Sequence, residues 1–474
     1  MIRRLPLLSL VLLLAGAAAC SDAGGGGGRG GGEVFEDAPV ILISIDTLRS
    51  DRLPAYGYEK VETPAIDALA KDSILYERAY SHYPLTLPSH VSMMSGLLPP
   101  RHGVRDNVGY SFDAEKHPSL ARLFKEAGYE TMAAVSAFVL RGSTGMGEGF
   151  DTYDDRLIPK EGQSLDAVQR AGDEATRSAT AWVRERAGRP FFLFLHLYEP
   201  HAPYMPPEPF KSRFADPYDG EVAAADAYVG ELLAELKKLE IYDKAVIVLL
   251  SDHGEALGDH GGQTHGVFLY REALQVPLLV KLPGARHGGT RVAAPARLVD
   301  VFPTLLATAG LDVPQGDGAS LLELLSPGAP PRQVYSETFY PRIHFGWSDL
   351  ASVIDGPHHY IEGPDPELYD LVKDPRELEN RFGSDRRAVG TLRQALAKVD
   401  RTFNPPGEVD AETARKLAAL GYAAGGGPVP EGPLPDPKSQ LHVVQKMEAS
   451  FSAFDHGDYE KAAQGFRELV TENA

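Results

Sequence analysis

The sequence predicts an α/β protein: an α/β/α layered domain, then a smaller antiparallel subdomain, then an all-α tail. Three observations carry that prediction. Short β-branched apolar runs such as Val40-Ile-Leu-Ile-Ser-Ile45 alternate with longer stretches of helical periodicity, the pattern of a sheet covered by helices. Polar, chemically capable residues stand where those runs end: Asp46, His196 and the group Ser251-Asp252-His253. From about Gln333 the texture shifts to short strand-like segments, and the last forty or so residues are helical again.

The elements follow in order. Arg3 and Arg4 precede the apolar run Leu5–Leu14, and small residues Ala15–Ala19 lead to Cys20, the single cysteine. Residues 1–20 read as an export signal ending in a lipoprotein-type cleavage box. Lipidated Cys20 would hold the protein at the periplasmic face or cell surface, with the lipid as its only membrane attachment. Residues 21–38, rich in glycine, read as a tether. A catalytic domain is expected over residues 39–332. Its strands are Val40–Ile45, Glu130–Val135, Phe191–Leu195, Ala245–Leu250 and Val276–Lys281. Helices are expected at Thr63–Lys71, Ser89–Ser95, Ser119–Ala127, Leu165–Ala187 and Glu221–Leu239.

Residues 333–424 form the smaller subdomain, with strands at Tyr335–Tyr340, Ala351–Asp355 and His358–Ile361 and a helix at Val389–Val399. The Gly- and Pro-rich residues 425–437 read as a linker. Residues 438–474 form a helical hairpin, and Gly457-Asp-Tyr-Glu-Lys-Ala-Ala-Gln-Gly-Phe466 resembles a tetratricopeptide repeat. Such repeats need neighbours to bury their faces, so either the chain is cut short here, or the hairpin docks elsewhere or takes a protein partner. The net charge of −19, with no dense Lys/Arg run, excludes a nucleic-acid binder.

The chemistry centres on Thr86-Leu-Pro-Ser-His-Val-Ser-Met-Met-Ser-Gly96. Thr86 is placed to cap a short helix that Gly96 ends. A hydroxyl there lies against unpaired backbone N–H groups and the positive helix end, a setting for an anion. Asp46, Asp252 and His253 supply hard carboxylate oxygens and an imidazole, a ligand set for one divalent cation. In open α/β sheets, ligands bind beyond the carboxyl ends of the strands, so these segments should converge. A cation beside Thr86 would turn a poor nucleophile into a competent one. Asn107 either occupies a turn or donates to a non-bridging oxygen. His201, in a Pro-bounded loop, could bind substrate or protonate a leaving group. Lys281 is either a solvated strand end or a cation for a tetrahedral anion.

Residues Pro39 to about Asn380 resemble the sulfatase family within the alkaline phosphatase superfamily. The resemblance rests on Ile45-Asp-Thr-Leu-Arg-Ser-Asp51, Thr86-x-Pro-Ser-His90, Ser95-Gly96, Leu123–Tyr129, Glu199-Pro-His-Ala-Pro203, Ser251-Asp-His-Gly-Glu255, Val276–Pro283 and Tyr369-Asp-Leu371. It implies the α/β/α sandwich of that type and a divalent metal, ligated by Asp46, Asp252 and His253 beside Thr86. It further implies anion contacts from His201, His265 and Lys281.

The departures bear on the substrate. Sulfatases carry Cys or Ser, converted to formylglycine, where this chain has Thr86; their usual Arg is His90; their second metal-motif Asp is Thr47; and their Gly-Lys-x-His element is absent, with Ser136-Ala-Phe-Val139 in that region. The spacing Thr86-x-Pro-x-His90, Gly96, His102-Gly and Asn107 is similar to nucleotide pyrophosphatase/phosphodiesterases, where Thr is the nucleophile and Asn binds phosphate. Their second metal site is incomplete here, because His201 and Met205 replace its Asp and His. The expectation is an exported metal-dependent hydrolase cleaving phosphodiester, phosphonate or sulfate esters through Thr86. Calcium, zinc and manganese remain open as the ion. The alternatives are a phospho-headgroup transferase and a catalytically idle scaffold with a partner-binding tail.

Overall fold

The structure, a computed structural model, describes residues 33–156, 169–407, 410, 433–455 and 457–472. The export segment with Cys20, most of the tether, residues 411–424 and residues 425–432 of the linker lie outside the described residues. What is described of the tether is not free: Phe35 packs against the core and its N–H donates to Thr308 O at 2.7 Å.

Eight strands form the central sheet, in the order Arg291–Val292, Ile74–Tyr76, Leu278–Lys281, Val246–Leu250, Val40–Ile45, Phe191–Leu197, Glu130–Ala134 and Thr152–Asp154. Val40–Ile45 occupies the middle and runs parallel to both neighbours, with Ser44 opposite His196 on one side and Leu250 on the other. All its side chains are buried, as expected for a strand covered on both faces. Alternation divides them between two cores. Leu42, Phe192, Phe194 and Val248 face the helices Thr86–Ser95, Leu120–Glu126 and Val301–Thr308. Ile41, Ile43, Leu193 and Leu249 face Pro64–Lys71, Gly172–Arg184 and Pro217–Lys238. These are the three layers of the α/β/α sandwich that the sequence predicts.

One strand corrects the sequence reading. The run Val276–Lys281 divides into Gln275–Val276, which joins a small three-stranded sheet, and Leu278–Lys281, which is antiparallel to Val246–Leu250. Its C-terminal end therefore lies opposite Ile247, at the far edge of the sheet from Asp252.

The smaller subdomain is a four-stranded antiparallel sheet, Val334–Thr338, Leu350–Asp355, His358–Glu362 and Glu367–Asp370, backed by helix Arg386–Leu396. The tail is a pair of helices, Leu441–Asp455 and Tyr459–Glu472, and Val443 and Val444 enter the main core. The tail therefore packs on the main domain. Among the described residues no helix is long and apolar enough to cross a membrane.

His260 joins the two domains. Its Nδ1 lies 2.6 Å from Glu272 Oε1, its Nε2 lies 3.0 Å from Glu377 O, and its ring stacks on Tyr270 at 3.7 Å between centroids. Burial pulls its pKa down, but the hydrogen bond and charge of Glu272 outweigh this and raise it to about 9. The folded protein then keeps a proton that the unfolded chain sheds near the ordinary histidine value of about 6.5. This stabilisation is complete below that value and is lost as pH rises through about 9. The thermal midpoint should fall between those two pH values, and His260→Gln should flatten that fall; an identical pH profile in the variant would contradict the pairing.

Candidate active site

Three strand ends and one helix end build the site. Asp46 follows Val40–Ile45 directly, and its N–H donates to Leu197 O at 2.9 Å, tying it to the neighbouring strand. Thr47 takes a left-handed conformation (φ 55°), unusual for a β-branched residue, and turns the chain sharply past the sheet edge. The turn is held by hydrogen bonds from Thr47 N to Asp252 Oδ1 at 3.3 Å and from Leu48 N to Ser251 Oγ at 2.9 Å. Ser251 Oγ in turn donates to His253 O at 2.7 Å, and His253 N donates to Asp252 Oδ1 at 2.9 Å. Asp252 is thereby oriented through Oδ1 alone.

The remaining carboxylate oxygens are left over. Asp46 Oδ1 and Oδ2 and Asp252 Oδ2 are buried and accept no hydrogen bond. His253 Nε2 lies 3.6 Å from Asp46 Oδ1 and 3.4 Å from Asp252 Oδ2. Burial pushes the Asp46 carboxyl above its ordinary range, against the opposing charges of His201 and His253. Burial and the charge of Asp46 raise Asp252 as well. For His253, burial works downward but the two carboxylates outweigh it and raise its pKa. Buried carboxylates without donors are costly unless a cation neutralises them. One ligand atom from each of Asp46, Asp252 and His253 falls within 4.8 Å of the others, so these residues fit a single divalent ion.

Thr86 is brought to this group by the helix Thr86–Ser95. Leu85, not Thr86, occupies the N-cap, and Thr86 is the first helical residue, so its hydroxyl is not spent on capping. Thr86 Oγ1 stands 3.4 Å from His253 Nε2. Gly96 closes the helix in a left-handed conformation, φ 69°, where a Cβ would stand 2.6 Å from the Phe302 ring. Asn107 Oδ1 accepts from Leu87 N at 2.8 Å, which fixes its amide and leaves Nδ2 buried and unpaired beside the helix start.

The other histidines line the same space. His201, His265 and His253 form a row, with ring centroids 5.0 Å and 4.4 Å apart. His201 Nδ1 lies 2.6 Å from both Tyr198 Oη and Ala202 O, while its Nε2 is unpaired. His265 Nδ1 lies 3.0 Å from Glu255 Oε1. Burial lowers the His201 pKa to about 3 and holds His265 well below its ordinary value.

Lys281 is the correction. It sits at the opposite edge of the sheet, where its Nζ donates to Tyr242 O and to Ala245 O at 3.1 Å and lies over the Tyr242 ring. Its strand runs antiparallel, which carries its end away from the site. Sequence reasoning gives His90 no role in the site and puts His196 past the end of its strand. His90 stands one helical turn after Thr86, with Nε2 2.9 Å from Ser44 Oγ and Nδ1 3.6 Å from Asp252 Oδ2. His196 is not beyond its strand but within it, and its Nε2 lies 3.5 Å from Asp46 Oδ2. The i,i+4 spacing of Thr86 and His90 was the available signal for the first.

The sequence pattern of the sulfatase family matches residues 39–311. The chain belongs to the sulfatase family. The C-terminal pattern of N-sulphoglucosamine sulphohydrolase matches residues 258–401. An arylsulfatase of Clostridium perfringens is 23% identical over 462 residues, covering 76% of this chain and 93% of the relative. An N-acetylglucosamine-6-O-sulfatase of Bacteroides thetaiotaomicron is 23% identical over 498 residues, covering 78% and 88%. The solved phosphonate monoester hydrolase of Agrobacterium radiobacter matches with a TM-score of 0.64 at 24% identity, covering 76% of this chain and 94% of that one. This sulfatase-family hydrolase thus spans most of the length of each of these three proteins.

With Lys281 so far from the reaction, Lys281→Met should leave kcat/KM within about twofold of the parent. A loss of about a hundredfold in kcat/KM, with the fold intact by circular dichroism, would contradict its placement.

Proposed function

We propose that this sulfatase-family hydrolase cleaves anionic esters through Thr86, with phosphodiesters and phosphonate monoesters favoured over sulfate esters. One observation carries the reading: the Thr86 hydroxyl stands 3.4 Å from His253 Nε2, beside carboxylate oxygens that accept no hydrogen bond. The preference for phosphorus rests on the residue itself. Thr86 supplies an alcohol nucleophile that needs no oxidation to an aldehyde.

Asp46, Asp252 and His253 would hold one divalent ion; when bound, it lowers the pKa of the Thr86 hydroxyl and offsets charge on the ester. Thr86 Oγ, its proton given up to solvent beforehand, then forms a bond to the central atom of the ester while the bond to the leaving alcohol breaks. The N–H end of the helix and Asn107 Nδ2 stabilise charge on the non-bridging oxygens. His201, held through Nδ1 by Tyr198, offers Nε2 to the departing oxygen. Its pKa of about 3 describes a site without anion; a bound anionic ester raises it. Water then attacks the Thr86 ester and gives a proton to His201 Nε2, while Thr86 Oγ leaves as the alkoxide and is ready for the next ester. His265, whose ring lies between those of His201 and His253, would contact the anion beside them. We place the protein outside the cytoplasm, anchored through lipidated Cys20, on the reading of residues 1–20.

A panel of phosphate diesters, phosphonate monoesters and sulfate monoesters tests this reading. The parent should turn over the phosphorus esters fastest, and Thr86→Ala should lose roughly 10³-fold or more in kcat while retaining bound metal. Full activity in Thr86→Ala would contradict the nucleophile.

A further inference from the structure

We infer that the helical tail is part of the active-site construction, with Glu448 positioning His265 by clamping the loop before it. This rests on the reading of His265 as a contact to the anionic ester. His265 lies in an irregular stretch between Ser251 and Tyr270 that belongs to no strand. Its side chain meets Glu255 and the rings of His253 and His201, so its position follows that of the backbone just before it.

That backbone is held from the tail. The Glu448 carboxylate accepts from Gln263 N at 3.0 and 3.1 Å, from Thr264 N at 2.9 Å and from Thr264 Oγ1 at 2.9 Å. Glu448 is only 9% exposed, so water competes weakly for these donors. Bonds to an ionised acceptor are stronger than neutral ones, and this carboxylate gathers both adjacent N–H groups. Gln445 Nε2 adds a bond to Gly261 O at 2.9 Å. Leu441 covers Gly261 so closely that a Cβ there would stand 2.8 Å from a Leu441 methyl.

The helix bearing these residues is itself anchored by Val443 and Val444 in the main core. It lies beyond residues 39–311 and 258–401, the stretches that match the family patterns. Glu448 reaches the loop backbone and not the Thr86 site, so its role is positioning.

The test uses the metal-loaded full chain and compares the parent with Glu448→Ala, Glu448→Gln, His265→Ala and the double variant Glu448→Ala/His265→Ala. Glu448→Ala should speed amide hydrogen exchange at Gln263 and Thr264 by about tenfold or more while exchange in the central strands stays unchanged. KM for the best ester should rise about tenfold, with a smaller change in kcat. Glu448→Gln keeps one oxygen acceptor and should fall between parent and Ala. In the double variant the two KM effects should not multiply, because one acts through the other. Unchanged exchange at Gln263 and Thr264 overturns the clamp. Faster exchange with fully multiplicative KM effects overturns the path through His265. If the parent hydrolyses no ester, the reading of the site fails on its own, and the exchange measurement still decides the clamp.

Discussion

Two buried carboxylates that find too few donors set the terms for this molecule. Asp46 and Asp252 are wholly inaccessible, yet three of their four oxygens accept no hydrogen bond. A core that kept such groups without compensation would lose several kcal/mol for each, an order of magnitude drawn from ion transfer into low dielectric. His253 supplies part of the compensation, and its own raised pKa expresses that coupling. The rest calls for a cation, and the Thr86 hydroxyl stands at the margin of the same group. The site is best understood as an unbalanced charge built into the sheet edge, which binding and chemistry then balance.

The fold explains how this imbalance can be held in place. Parallel pairing of Val40–Ile45 with Val246–Leu250 and Phe191–Leu197 puts all three carboxyl ends at one edge. The left-handed turn at Thr47 and its bonds to Ser251 and Asp252 tie two of those ends together. The helix Thr86–Ser95, buried along its whole length, presses its N-terminus into the same corner, where His90 rests on Ser44. Asp46, Asp252 and His253 stand on buried turns just after strands, and Thr86 stands on a buried helix. His201 and His265 stand on longer loops, and each is held by a further side chain, Tyr198 and Glu255.

Much of this was legible in the sequence, for identifiable reasons. Asp46, Asp252 and His253 follow apolar runs, and the rule for parallel strands places such residues at one edge without knowledge of strand order. Lys281 follows an equally apolar run, but a short apolar run does not encode its direction in the sheet, and antiparallel pairing moved Lys281 to the opposite edge. Thr86 was found by its helix signals but assigned one position early, because Leu85 starts the helix without offering a side-chain cap. His196 looked like a strand-end residue, whereas the strand continues to Leu197 and His196 faces the helix from within it. That the tail docks is one of the alternatives its lone hairpin offers, but the place where it docks is not legible. It depends on Glu448 meeting backbone N–H groups nearly two hundred residues away, a contact for which periodicity and composition carry no signal.

The central claim is that a cation sits between the strand ends and touches the alcohol of residue 86. Anomalous diffraction from crystals grown with manganese, zinc or calcium would test it most directly. The expected result is one strong peak about 2.0–2.6 Å from oxygens of Asp46 and Asp252, within coordinating reach of His253 Nε2 and Thr86 Oγ1. Peaks only elsewhere, or none at this position with each of the three ions, would contradict it.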